Sequence, residues 1–119
     1  MEALQSVLGE VLSAVGASGA ALVDAVTGFT YAELGDCMPA GSGHEVCQLL
    51  RLVDDGLHEA GAQGELESVV VTGRRSYHLV QVVPRQGDPL LISMLLDRSG
   101  SNLALASRQV TAAAKALRV

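Results

Sequence analysis

The side chains able to do chemistry in this chain are few and scattered. Cys37, His44 and Cys47 are the one set that could approach a metal ion, with His44 and Cys47 three residues apart on a helical pattern and Cys37 in a Gly/Pro-rich stretch. A closed zinc site takes four ligands, commonly in pairs of short spacing. Here the fourth ligand is missing, so no metal site is expected. Cys47 reads as a small residue at the core margin and Cys37 as an exposed thiol. Nucleophilic catalysis needs a Ser or Cys beside a His and an orienting acid. His44, His58 and His78 flank no such nucleophile, and His78 reads as a contact on a sheet face. No catalytic residue is expected. Gly41-Ser42-Gly43 resembles a phosphate loop only loosely, because it lacks the Gly-Lys-Ser/Thr ending and the one lysine is Lys115. No nucleotide or other cofactor is expected. Arg74-Arg75 falls at a predicted hairpin tip, where an arginine could reach a transferring phosphate in a partner or simply stay in water.

Periodicity sets out the helices and strands along the chain. Leu4, Val7, Leu8, Val11, Leu12 and Val15 recur at helical spacing, with Gly16 placed to stop the helix. A hairpin follows, with Ala20–Asp24 and Phe29–Leu34 as strands around Thr27-Gly28. A glycine-rich loop over 35–43 leads to a second helix from about His44 to Ala60, with Val46, Leu49, Leu50, Val53, Leu57 and Ala60 as its buried stripe. Leu66–Thr72 and Tyr77–Val83 read as a second hairpin around Gly73-Arg74-Arg75. Leu90-Leu91-Ile92-Ser93-Met94-Leu95-Leu96 is apolar on both faces, the pattern of a strand covered above and below. An alanine-rich helix beginning at Asn102 ends the pattern.

Composition bounds the function. A chain of 119 residues suits one domain over 1–119, and its 49% apolar content with 3% aromatics calls for an aliphatic core. No apolar run approaches the ~20 residues of a membrane span. Met1-Glu2-Ala3 lacks the basic start of a secretory signal, so a cytoplasmic location is expected. Nucleic-acid binding wants a basic face, whereas this chain carries a formal charge of -5.

The order is αββαβββα, an α/β layered arrangement. Short turns between the last three strands require an antiparallel meander. The doubly apolar strand belongs at the centre, which leaves 66–72 on an edge. An edge carrying Val69-Val70-Val71 without Pro or Lys is a pairing hazard. A second copy of the same strand would cover it about a twofold axis, or the chain's own loop would.

Gly19-Ala20-Ala21-Leu22-Val23-Asp24 ahead of Thr27-Gly28, and Asp97-Arg98 leading to Asn102-Leu103-Ala104-Leu105-Ala106, resemble the roadblock/dynein light chain family across nearly the whole chain. The resemblance implies a profilin-like roadblock fold. Its five-stranded antiparallel sheet would have the second helix on one face and the terminal helices on the other. It further implies a homodimer made through third strands and second helices, and a bacterial partner or regulator of a Ras-like small GTPase. Val26-Thr27, where an acidic residue often precedes the glycine, and the glycine-rich loop 36–43 depart from the family pattern. The fold offers no matching trans-acting arginine for Arg74 or Arg75.

The second helix is therefore the surface to watch. Leu52 lies some 60° off its buried stripe at ~100° per residue, which suits a contact with another protomer. Leu52, Glu67, Val69 and Val71 are the candidate dimer residues, and Gln48, Arg51, Asp54, Asp55 and His58, with Glu59, line the wetter side where a GTPase would dock. The expected function is a non-enzymatic homodimeric adaptor that modulates a GTPase's nucleotide cycle or location. A small-molecule-sensing domain or a purely structural dimerisation domain stands as the alternative.

Overall fold

The computed structural model describes residues 2–13, 16–37 and 40–117. The expected core position Val15 lies outside them, as does the side chain of Leu4. The elements are α1 (Glu2–Leu12), β1 (Ala17–Asp24), β2 (Thr30–Gly35), α2 (Gly43–Glu59), β3 (Ser68–Thr72), β4 (Ser76–Val83), β5 (Leu90–Asp97) and α3 (Leu103–Ala116), with a 3-10 turn over Arg98–Gly100. The five strands form one sheet in the order β2-β1-β5-β4-β3. All four pairings are antiparallel. The doubly apolar strand is central and β3 is an edge, as the hydropathy pattern requires.

Alternation along β5 sorts the core into two layers. Leu90, Ile92, Met94 and Leu96 join Leu8 and Val11 of α1 and Ala106, Val110, Ala113 and Ala114 of α3. Leu91 points the other way, to Val46 and Leu50 of α2 with Ala21, Val23 and Val80. Period-two geometry makes one strand serve both layers. The terminal helices thus cover one face and α2 the other.

Local signals set the helix ends. Ser42 caps α2: its hydroxyl accepts from the Glu45 amide at 3.2 Å, and Glu45 Oε1 accepts from the Ser42 amide at 3.1 Å. The Gly41-Ser42-Gly43 run supplies this cap. Gly43 fits because an added Cβ would lie 2.3 Å from the Gly28 carbonyl oxygen. Asn102 is the cap of α3, its side chain accepting from the Leu105 amide at 3.0 Å, so that helix starts one residue later than expected.

Several expectations are corrected. Leu57 and Ala60 belong to the predicted buried stripe, yet both are exposed; Leu57 is 42% accessible. The buried residues of α2, Val46, Cys47 and Leu50, all lie in its first half. Its last turns, with Leu57 and His58, border an open depression shared with Leu66, Glu67 and Ser68. Phe29 is not in a strand; it stands in the β1–β2 turn, 59% exposed. The third strand begins at Ser68, with Leu66 packed on the α2-side core just before it. Cys37 is no exposed thiol. It is half-buried, with Sγ 3.4 Å from the Ala20 carbonyl oxygen and 3.5 Å from that of Leu34. Burial, then the nearby Glu33 carboxylate, pushes its pKa up.

Candidate functional site

Asp24 organises the end of the sheet from which the α2 surface is built. It is buried at the last position of β1, and its Oδ1 accepts from the amides of Val26 at 2.8 Å and Thr27 at 3.0 Å. Its Oδ2 accepts from the Tyr31 hydroxyl at 3.1 Å. The Thr27 amide is the main cause holding this carboxyl below its ordinary value; burial opposes it, and the Val26 amide and Tyr31 hydroxyl assist. The turn so fixed presents two carbonyls to α2. Cys47 Sγ donates to Ala25 O at 2.8 Å, and Arg51 donates to Val26 O.

The five candidate partner residues separate into two sets. Arg51, Asp54 and His58 line a groove of roughly 420 Å3 between α2 and the β4–β5 turn. Ala25, Leu50, Leu66, Val82, Pro84, Pro89 and Leu91 supply its apolar wall, and Arg85 and Glu65 add charge to its rim. His58 Nδ1 lies 3.6 Å from the Asp54 carboxylate and 2.9 Å from the Asp54 carbonyl oxygen, so these two are engaged with each other. Gln48 and Asp55 do not line the groove. They are exposed on the outer side of α2 together with Leu52 and Glu59, positions that coincide at ~100° per residue.

Leu52 is 73% exposed. Val71 is 42% exposed, Val69 half-buried and Glu67 exposed just before β3. The Glu67 carbonyl accepts from the Val82 amide at 2.8 Å. Val69 packs on the α2-side core, and Val71, two residues on, shares its face of the sheet. β3 pairs only with β4, so its other side presents unpaired backbone groups. Of the described residues, the exposed large apolar side chains are Val26, Phe29, Leu52, Leu57, Val70, Val71 and Leu105; four of these seven lie on α2 or β3.

His78 is opposite Val71 in the register and bonds Ser93 Oγ through Nε2 at 2.7 Å. Burial lowers its pKa. The sheet-face contact read from sequence is present, and the partner accounts for a serine in the middle of β5. Among the described residues no group of three or more His, Cys, Asp or Glu could hold a metal ion, and no helix is long and apolar enough to cross a membrane.

Sequence reading missed Asp24 as a turn organiser, though an Asp followed by a Thr-Gly turn carries that signal. It also missed Ser42-x-x-Glu45, a readable capping box. The placement of Arg85 and Arg98 had no local signal.

The gliding protein MglB of Thermus thermophilus superposes with a TM-score of 0.78 over 98% of this chain and 86% of that one, at 21% identity. A Roadblock/LC7 domain of Streptomyces avermitilis gives 0.78 over 94% and 92%, at 17% identity. MglC of Myxococcus xanthus gives 0.65 over 95% and 94%, at 16% identity. The chain has the roadblock fold. No protein-family profile matches its sequence, and no curated protein matches it by sequence comparison. The five-stranded antiparallel sheet and the division of helices between its faces agree with what the sequence resemblance implies.

Proposed function

We propose that this chain is a non-enzymatic adaptor that pairs with a second copy of itself and binds a Ras-like small GTPase, modulating its nucleotide cycle or location in the bacterial cytoplasm. The observation that carries the reading is the coincidence of an unpaired edge strand with exposed Leu52, Leu57, Val70 and Val71. An exposed apolar edge of this kind is a template for pairing unless covered. A like strand would cover β3, and the outer side of α2 would pack beside it. Gln48 and Asp55 on that outer side, and Arg51, Asp54 and His58 along the groove, are the residues proposed to meet the GTPase. The roadblock fold shared with gliding protein MglB supports this reading.

The test has two arms. Val71→Lys should turn a dimer into a folded monomer in analytical ultracentrifugation; an unchanged sedimentation coefficient rejects the β3 edge. Pull-downs from the source organism with GDP or a non-hydrolysable GTP analogue should recover a small GTPase, and its hydrolysis and exchange rates should change when this protein is added. Charge reversal at Arg51, which lines the groove and not the proposed dimer face, should abolish the recovery while leaving the dimer intact. The groove's apolar wall also favours a second reading, a small-molecule-sensing domain. Native mass spectrometry showing a co-purified molecule of constant mass would favour that alternative.

A further inference from the structure

Three of the chain's seven arginines meet at the end of the sheet opposite the Asp24 turn. Arg74 and Arg75 stand at the β3–β4 hairpin tip, and Arg98 opens the 3-10 turn that follows β5. They line one depression of roughly 780 Å3. Arg98 is pre-positioned. Its Nη1 donates to the Gly73 carbonyl at 2.8 Å, its guanidinium lies 5.3 Å from the Tyr77 ring centroid, and its amide donates to Arg75 O at 3.0 Å. One face of the guanidinium is thus spent on the ring and one N–H on the chain, leaving the remaining donors fixed in direction. The side chains of Arg74 and Arg75 make no hydrogen bond or ion pair with any described residue.

The rest of the lining suits an anion. Ser18, Ser76 and Ser99 bring hydroxyls, and the one carboxylate is Asp97. That carboxylate is already engaged, its Oδ1 accepting from the Ser99 amide at 3.1 Å and the Ser99 hydroxyl at 3.0 Å. Three guanidiniums against one carboxylate leave a local excess of two positive charges in a chain of net charge -5. Arginine forks match the oxygens of a phosphoryl group, and clustered arginines are a recurring way to read a phosphorylated side chain. A lipid surface is the poorer occupant. Among the described residues the one apolar side chain lining the depression, Leu96, is fully buried and could not enter an acyl layer.

We infer that Arg74, Arg75 and Arg98 form a recognition site for a phosphorylated side chain on a partner protein, separate from the α2 and β3 surfaces. The site would make partner capture depend on phosphorylation.

The probe is a peptide pool with a central phosphoserine and mixed flanking residues, compared with the same pool unphosphorylated, in phosphate-free buffer. The readout is the arginine side-chain Nε–Hε resonances of the full chain. The phosphorylated pool should shift Arg74, Arg75 and Arg98 selectively. Arg74→Glu, which removes no contact within the chain, should weaken binding by about tenfold or more, the scale of a lost charge-assisted hydrogen bond. Arg98→Ala should do the same, and Arg98→Lys should restore only part of the affinity because it lacks the fork. Four results would overturn the assignment: no shift with the phosphorylated pool, equal shifts with both pools, affinity unchanged by Arg74→Glu, or binding confined to phosphatidylcholine/phosphatidylserine vesicles.

Discussion

Replacing Asp24 should reach beyond its own turn. The side chain accepts three hydrogen bonds, two from turn amides and one from Tyr31. A bond to a charged group contributes about 1.5–3 kcal/mol when the donor stays buried. Val26 and Thr27 are exposed and regain water when the carboxylate is removed, so each bond is better counted at about 1 kcal/mol. Asp24→Ala should then cost about 3 kcal/mol. Asp24→Asn keeps an acceptor but loses the charge, which halves such bonds, and should cost about 1.5 kcal/mol. At about 2.1 cal/mol/K per residue, unfolding 119 residues carries an entropy near 0.25 kcal/mol/K, so Tm should fall by about 12 °C and 6 °C respectively. The pH dependence has a definite sign. The folded-state pKa lies below the ordinary value of 3.8, so the charge contribution is complete above 3.8 and is lost as pH falls through the folded value. Calorimetric melts of wild type and both variants at neutral pH and again well below pH 3.8 are the assay. The gap between wild type and Asp24→Asn should narrow in acid. Because the same turn holds Cys47 and Arg51, hydrogen exchange in α2 should also quicken in Asp24→Ala. A neutral-pH loss under about 1 kcal/mol for Asp24→Ala, or a gap that does not change with pH, would refute the reasoning.

Three further outcomes are expected. His78 has a folded pKa below the ordinary 6.5, so wild-type stability should decline as pH falls below 6.5 and His78→Gln should flatten that part of the curve, read by urea denaturation. Cys37, with its raised pKa and two carbonyl contacts, and buried Cys47 should both resist iodoacetamide at pH 8 in the folded protein and react once it is denatured, followed by mass spectrometry. Ser42→Ala should lower stability by about 1 kcal/mol in the same urea assay, through loss of the α2 capping box.

The sequence alone determined what local periodicity and turn chemistry control. Residues 90–96 are apolar at every position but Ser93, and only a central strand between two helical layers accommodates that. The hairpin tip at Arg74-Arg75 was equally legible, because the short turn there leaves the chain little alternative. Tertiary structure decided the rest. Leu57 fits the helical stripe as well as Leu50 does, yet it is exposed because only the first half of α2 reaches the core beneath it. Arg51 and Asp55 look equivalent on an isolated helix; the azimuth of α2 on the sheet sends one to the groove and the other to the outer side. Arg98 lies more than twenty residues from Arg74 in sequence, and only the pairing of β4 with β5 brings the two to one depression. Periodicity reports which face of an element is apolar, but where that face ends, and what lies opposite it, depends on contacts between distant parts of the chain.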